Sequence, residues 1–446
     1  MGEGLFYNET SYIYIRYTLY ICIIKMKLKF KYIMMMNLNF SEAAQRVKDV
    51  VIHTPLQLNL NLSKKYNCNV YLKREDLQVV RSYKLRGAYN MMKSLSADEL
   101  KKGVVCASAG NHAQGVAYSC NRMGVKGVIF MPSITPKQKI DQTRMFGDSN
   151  IEIILTGDTF DDCAAAAKIY TEEKGMVFIP PFDHERIIEG QGTVGVELYD
   201  DLKNIDYIII PNGGGGLCAG ISTFVKSVSP ETKIIGVEPE GAPSMTLALK
   251  ERQPKEVPSI DRFVDGAAVK KVGELTYNIC SQNLDDMLLV PEGKVCTTIL
   301  QLYNKDAIVV EPAGALSVAV LDQLKEEIKG KNVVCIISGS NNDIDRMQEI
   351  KERSLLYEGL KHYFVLEFPQ RPGALKEFVT NIMGENNDIT YFQFSKKNNK
   401  ESGPAVIGIE VEAPEDFENL KKRMDQNMLK YTYLNNDQLL FNNLIG

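Results

Sequence analysis

Tyr207-Ile208-Ile209-Ile210-Pro211-Asn212-Gly213-Gly214-Gly215-Gly216-Leu217 joins an apolar run of strand length to four glycines, and an apolar helical pattern, Gly216 to Ser227, follows at once. A run without polar alternation suits a strand buried on both faces, as in a parallel sheet covered by helices. Five further runs have this character: Val104 to Ala107, Gly127 to Met131, Ile151 to Leu155, Lys233 to Val237 and Asn332 to Ile337. Helical patterns fall between them at Lys84 to Leu95, Gly110 to Met123, Pro136 to Phe146, Thr159 to Lys174 and Pro312 to Glu327. Strand, helix and strand in that rhythm predict βαβ units and an α/β fold over residues 37–355, too long for one small sheet. Two lobes are therefore expected, with a site between them.

The glycines themselves point to an anion. They let the backbone approach closely, and the free N–H groups of the helix start add a favourable dipole. Gly213, Gly214, Gly215, Gly216 and Leu217 thus read as a phosphate cradle. The stretch lacks the Lys-Ser/Thr ending of a nucleotide-hydrolysing loop and the spacing of a dinucleotide fingerprint.

Three other stretches sit at strand ends, where open α/β sheets bind ligands. Ser82-Tyr83-Lys84-Leu85-Arg86-Gly87-Ala88 opens a helix after the strand Val70 to Arg74. Alone, Lys84 would read as a solvated helix lysine, although a deprotonated lysine forms Schiff bases with carbonyl compounds. Ala107-Ser108-Ala109-Gly110-Asn111-His112-Ala113-Gln114-Gly115 offers small residues, free amides and a hydroxyl suited to a carboxylate. Within it Asn111 can bond a phenolic or carbonyl oxygen, and His112 reads as orienting the turn rather than as catalytic. Ile336-Ile337-Ser338-Gly339-Ser340-Asn341-Asn342 places a hydroxyl that can donate to a pyridine nitrogen, leaving that nitrogen essentially unprotonated.

Composition narrows the classes. Lys+Arg 52 against Asp+Glu 56 gives a net charge of −4, which excludes the broad positive field of a nucleic-acid binder. The nine cysteines form no C-x-x-C pair and read as reduced thiols of a cytoplasmic protein. The four histidines make no metal-spaced cluster, so no metal site is assigned. Residues 1–36 stand apart: Tyr12 to Ile24 is aromatic and β-branched, too short to span a bilayer and interrupted by Arg16. The reading favours a translation start placed too far upstream, with Met34, Met35 or Met36 as the beginning, over a targeting or membrane-surface segment.

After a break near Gly359 the pattern is strand His362 to Phe368, helix Pro372 to Met383, strand Ile389 to Lys396, strand Ala405 to Glu412, helix Pro414 to Met424 and strand Tyr431 to Leu434. That order is βαββαβ, a ferredoxin-like unit over residues 359–446. Asn398, Asn399, Lys400, Ser402 and Gly403 are expected to form its polar hairpin connection.

The set S-Y-K-L-R-G, S-A-G-N-H-A-Q-G, G-G-G-G-L, V-E-P-A-G-A and S-G-x-N resembles the fold-type II pyridoxal-phosphate enzymes, and within them the biosynthetic threonine dehydratases with one C-terminal ACT-like domain. The resemblance runs from about Val50 to the end. It implies a two-lobed catalytic unit of parallel or mixed sheets, and makes Lys84 the Schiff-base lysine and Gly213 to Leu217 the phosphate loop. It also implies that Asn111 bonds the ring oxygen, that Ser338 bonds the pyridine nitrogen, and that Ser108, Ala109, Gly110 and His112 hold the substrate carboxylate. The implied reaction is pyridoxal 5'-phosphate-dependent β-elimination and deamination of L-threonine to 2-oxobutanoate and ammonia, with L-serine as a secondary substrate. Isoleucine is the implied inhibitor acting through the C-terminal unit, opposed by valine, and the implied assembly is a homotetramer. Relatives also suggest a cation near Val237 to Ser244. Ser340 departs from the usual Gly or Ala, and residues 1–36 have no counterpart. A serine racemase or serine-preferring dehydratase would share the motifs but lack the tail, and a non-enzymatic amino-acid sensor would not need them intact.

Overall fold

The computed structural model describes residues 38–394 and 401–445, so the expectations for residues 1–36 and for Asn398 to Lys400 lie outside the described residues. All six apolar runs form strands. In chain order the strands are β1 (Leu56–Leu58), β2 (Asn69–Arg74), β3 (Val104–Ala107), β4 (Gly127–Met131), β5 (Ile151–Leu155), β6 (Val177–Phe178) and β7 (Tyr207–Pro211). They continue with β8 (Lys233–Pro239), β9 (Asp286–Val290), β10 (Asn332–Ile337), β11 (Lys361–Pro369), β12 (Asn387–Phe394), β13 (Ser402–Val411) and β14 (Tyr431–Tyr433).

Two sheets make the large segment. The order β5-β4-β3-β6 is all parallel, and the order β1-β2-β10-β7-β8-β9 is parallel except for β1. β3, β4 and β7 are buried at every residue, as expected. β5 is not, because it lies at the edge of its sheet and leaves Glu152 and Leu155 exposed.

One helix that the motifs did not reveal organises the interior. Glu185–Asp201 carries Gly190, Gly192 and Gly195, and interior glycines each cost a helix about 0.5–1 kcal/mol relative to alanine, so its sequence reads poorly as one. Packing supplies the reason for them. A Cβ on Gly190 would lie 2.5 Å from the Arg86 carbonyl oxygen, and one on Gly220 would lie 2.6 Å from the Gly192 nitrogen. The helix Lys84–Lys93 and the helix Gly216–Val228 therefore rest on this third helix at backbone distance. The helix expected over Pro312 to Glu327 is shorter than expected, ending at Ala319 in a tighter turn over Val320–Asp322.

The C-terminal unit has sheet order β12-β13-β11-β14, antiparallel throughout, with helices Ala374–Asn381 and Pro414–Gln426. This is the expected βαββαβ unit, and a further helix, Gln438–Leu444, follows it. Phe364, Leu366, Phe378, Ile407, Ile409 and Leu420 fill its core. Its first strand is tied back to the helix Met347–Tyr357, where Glu352 accepts from the Tyr363 hydroxyl at 2.5 Å and pairs with Lys361 at 2.5 Å. The eight cysteines among the described residues are free thiols, and all are buried.

Candidate active site

β10 lies between β2 and β7, so the chain segments leaving these three strands converge at one end of the large sheet. Ser338 follows β10 and is 2% exposed, and its carbonyl accepts from the Tyr83 N–H at 3.2 Å. Ser82 bridges Gly339, and Lys84 then opens its helix. The chain reaches this bridge through Arg81 in the left-handed region at φ 59°. From the other lobe, the segment after β3 brings Ser108, Ala109, Gly110 and Asn111, all partly buried.

Lys84 Nζ donates to the Pro181 carbonyl at 2.9 Å. Its surroundings strip water from the ammonium form and lower the amine from its usual range to about 8, against the opposing charge of Glu311. A substantial neutral fraction near neutrality is what a nucleophile and base requires.

At the glycine loop, Gly215 sits at φ 92° and caps the helix Gly216–Val228 without a side-chain bond. The first intrahelical bond runs from Ala219 N–H to the Gly215 carbonyl, so the N–H groups of Gly216, Leu217 and Cys218 precede it. Phe182 packs so closely that a Cβ on Gly214 would lie 2.2 Å from its ring. Thr276 donates to the Gly214 carbonyl at 2.7 Å, and Asp183 accepts the N–H groups of Glu274, Leu275 and Thr276 at 3.0 Å each. The segment Ile179 to Asp183 thus touches both the lysine and the loop. Nothing in its sequence marks that role, which depends on partners far along the chain.

His112 behaves differently from its neighbours. Its side chain is buried, and Nε2 donates to the Ile179 carbonyl at 2.9 Å. Burial, then the charge of Lys84, depress the ring to about 3, so the imidazole is neutral and turned away. The backbone N–H groups of Asn111, His112 and Ala113 precede the first intrahelical bond, from Gln114, and so form a helix start suited to an anion. Asn111 Nδ2 donates to Glu311 at 2.7 Å, and its Oδ1 accepts from Asn341 at 2.6 Å. Glu311 entered the sequence reading only as the carboxylate of the V-E-P-A-G-A motif and was given no role of its own, although a single carboxylate in the apolar run Ile308 to Ala315 was a usable signal. Burial, then the charge of Asp265, raise it to about 7. Near the suggested cation stretch, Glu238 accepts from the Met245 and Thr246 N–H groups and from the Thr246 and Ser244 hydroxyls, and so caps the helix Ser244–Glu251.

An amine of lowered basicity, a glycine-lined helix start and a hydroxyl at the end of the strand between them, all on an α/β sheet, define a class of enzyme that binds a phosphorylated carbonyl cofactor. Residues 47–339 match the model of the pyridoxal-phosphate dependent enzyme family, and the chain belongs to that family. Residues 352–444 match the C-terminal regulatory domain of threonine dehydratase. The chain is 58% identical to L-threonine dehydratase biosynthetic IlvA of Halalkalibacterium halodurans, over 90% of this chain and 97% of the relative. The corresponding Bacillus subtilis enzyme is 56% identical over 91% and 96%. Among solved structures, the processed form of threonine deaminase isoform 2 from Solanum lycopersicum is 44% identical, with TM-score 0.68 over 71% of this chain and 92% of that one. Maize serine racemase is 28% identical, with TM-score 0.66 over 71% and 97%.

The residues present fit pyridoxal phosphate. From Gly213 to Gly216 an added Cβ would lie 2.2 to 3.1 Å from Ala267, Phe182 or Thr276, so only glycine lets the loop keep this path; the Lys84 amine is bonded only to one carbonyl among the described residues, and the buried Ser82 hydroxyl has no partner there. Gly214→Ala checks the cradle. Overpacking against Phe182 costs about 1–3 kcal/mol, expected as roughly tenfold to a hundredfold weaker cofactor binding in a fluorescence titration of apoenzyme. Unchanged affinity would show that the Phe182 ring gives way freely.

Proposed function

We propose that this chain is a biosynthetic L-threonine dehydratase, converting L-threonine to 2-oxobutanoate and ammonia. One observation carries the reading: the Lys84 amine, lowered to about 8, bonds the Pro181 carbonyl beside the Phe182 that packs on the glycine loop, on a segment bridged to Gly339 after Ser338, in a chain that also carries a ferredoxin-like tail. Bound pyridoxal phosphate supplies an electron sink for negative charge at the substrate Cα. The N–H groups of Gly216 and Leu217 would hold its phosphate, and the Ser338 hydroxyl would donate to its ring nitrogen. Ser108, Ala109 and Gly110, with the backbone N–H of His112, hold the substrate carboxylate, and Asn111 donates to the ring oxygen. Lys84 would anchor the cofactor and take the proton from Cα, and the β-hydroxyl would leave as water, its added proton balanced by the one taken from Cα. Hydrolysis of the released enamine consumes one water and gives the keto acid and ammonia.

Residues 37–355 are the proposed catalytic unit and 359–446 the proposed regulatory unit. Isoleucine is the proposed effector, with valine opposing it and L-serine as a slower substrate. An effector inhibits only if it binds a less active state more tightly. The Glu352 contacts to Lys361 and Tyr363 support such coupling, because they join the sensor sheet to the helix that follows the Ser338 segment. A homotetramer and cytoplasmic residence complete the reading, the latter supported by the unpaired thiols. Among the described residues no helix is long and apolar enough to cross a membrane.

The test is keto-acid formation by holoenzyme from L-threonine and, separately, L-serine, with and without isoleucine. Threonine turnover suppressed by isoleucine is expected. Turnover on serine alone would favour the serine-specific reading, and turnover indifferent to isoleucine would remove the sensor role from the tail.

A further inference from the structure

Glu311 is 4% exposed, and room has been left for its carboxylate. A Cβ on Gly339 would lie 2.7 Å from Oε1, and one on Gly266 would lie 3.1 Å from it. Both oxygens are used: Oε1 accepts from Asn111 Nδ2 at 2.7 Å, and Oε2 accepts from the Asn341 N–H at 3.2 Å. Asn341 Nδ2 donates in turn to Asn111 Oδ1 at 2.6 Å and to the Val80 carbonyl at 2.9 Å. A carboxylate that only accepts lies on one side of Asn111, and an amide N–H that only donates lies on the other. The Asn111 amide is left with one orientation, nitrogen toward Glu311 and oxygen toward Asn341. Its second N–H is the group these bonds leave over.

We infer that Glu311 is a positioning residue, locking the Asn111 amide so that an N–H, and never the carbonyl, is offered to the ring oxygen of bound pyridoxal phosphate. The inference rests on the proposed roles of Asn111 and Lys84. A carboxylate at this position also does something a neutral group would not. Its charge supports the ammonium form of Lys84, against the burial that lowers it. The charged and titratable groups around Glu311 are Lys84 and Tyr83 on the lysine segment, Asp265 and Lys139. Asp265 is itself paired with Lys139 and, at 3.7 Å, with Arg346. Burial and Asp265 raise the carboxyl while Asn111 and Lys139 hold it down, and the balance falls at about 7. Above that pH the anion fixes the amide. Below it, a protonated carboxyl can donate, and the orientation is no longer forced.

Glu311→Gln holoenzyme is the test, since glutamine keeps the volume but offers one acceptor where two are needed. The wild-type visible absorbance is expected to change with a midpoint near 7, and the variant to lack that transition while retaining cofactor. Turnover should fall roughly tenfold to a hundredfold, as for outer-shell partners of a ligating side chain. In apoenzyme, the pH midpoint for capture of pyridoxal phosphate should lie lower in the variant, because Lys84 has lost a neighbouring negative charge. A flat wild-type absorbance through this range, or an unchanged transition in the variant, would overturn the inference. If Glu311→Gln does not fold, Glu311→Asp takes its place. A displaced midpoint in that variant supports the role, and an identical one defeats it. Failure of the underlying assignment looks different, because Lys84→Ala would then keep the visible absorbance whatever Glu311 variants show.

Discussion

Lys84→Ala protein should bind pyridoxal phosphate without the visible absorbance of lysine-linked cofactor, and should turn over L-threonine slower by at least about 10²–10⁴-fold, the usual contribution of a positioned base. Loss of the covalent anchor adds to that figure. The structure offers no substitute among the neighbouring titratable groups. His112 donates through Nε2 to the Ile179 carbonyl, and burial lowers its ring to about 3, too weak a base to replace an amine. Glu311 is spent on Asn111 and Asn341. Lys84→Arg is the control, because it keeps a cation beside Pro181 and supplies no nucleophile at any accessible pH. In the wild-type apoenzyme, the neutral amine captures the cofactor, so the capture rate should climb with pH and level off above about 8. Alanine-variant turnover within tenfold of wild type would take the base role away from Lys84.

Arg86→Leu should be the most destabilising single change near the site, at about 3–5 kcal/mol in chemical denaturation. Arg86 is fully buried, and it makes two 2.7 Å bonds to Glu75 and bonds of 2.7 and 2.8 Å to Glu197. Lys73, equally buried, pairs with Glu197 at 2.6 Å and so keeps that carboxylate compensated after the change. Glu75 is left with the Thr54 hydroxyl and the Gln78 amide, and no bonded cation. The pair with Arg86 holds Glu75 below the usual carboxylate range despite its burial. A carboxyl lowered on folding contributes stability above its unfolded pKa and loses it as pH falls through the folded value. The deficit should therefore be full at neutral pH and shrink on acidification, as Glu75 of the variant takes up a proton. Adding Glu75→Gln should recover part of the loss. An unfolding midpoint equal to wild type would mean that the buried pair contributes nothing. Arg86 also lies two residues beyond Lys84 on a helix pressed against Gly190, so a variant that folds should show slower turnover with its cofactor retained.

What the amino-acid sequence disclosed depended on how local each signal was. Lys84, Gly213 to Leu217 and Ser338 each follow a strand and obey short-range rules for helix starts and tight turns, so their place at strand ends was readable. The βαββαβ order of the tail was readable for the same reason. The helix Glu185–Asp201 was not, because its glycines serve contacts to Arg86 and Gly220 that no local propensity encodes. Glu311 lies 200 positions from Asn111, and its meaning arises only when two lobes meet. For His112 the reading against a catalytic role had no physical detail behind it, and the Ile179 carbonyl supplies that detail.

The thiols give the folded chain a clock. Eight cysteines lie on helices, strands and turns from Cys68 to Cys335, every one of them buried. Burial pushes their pKa values above the ordinary thiol range, at Cys106 and Cys218 well above it, so little reactive thiolate exists even where a reagent could reach. An alkylating reagent then labels each site only as fast as that part of the chain opens. Cys106 and Cys120 time the lobe that carries Asn111, while Cys218 and Cys280 time the region behind the glycine loop. Peptide-resolved labelling with cofactor present and absent would rank which half of the cleft loosens first, without any engineered reporter.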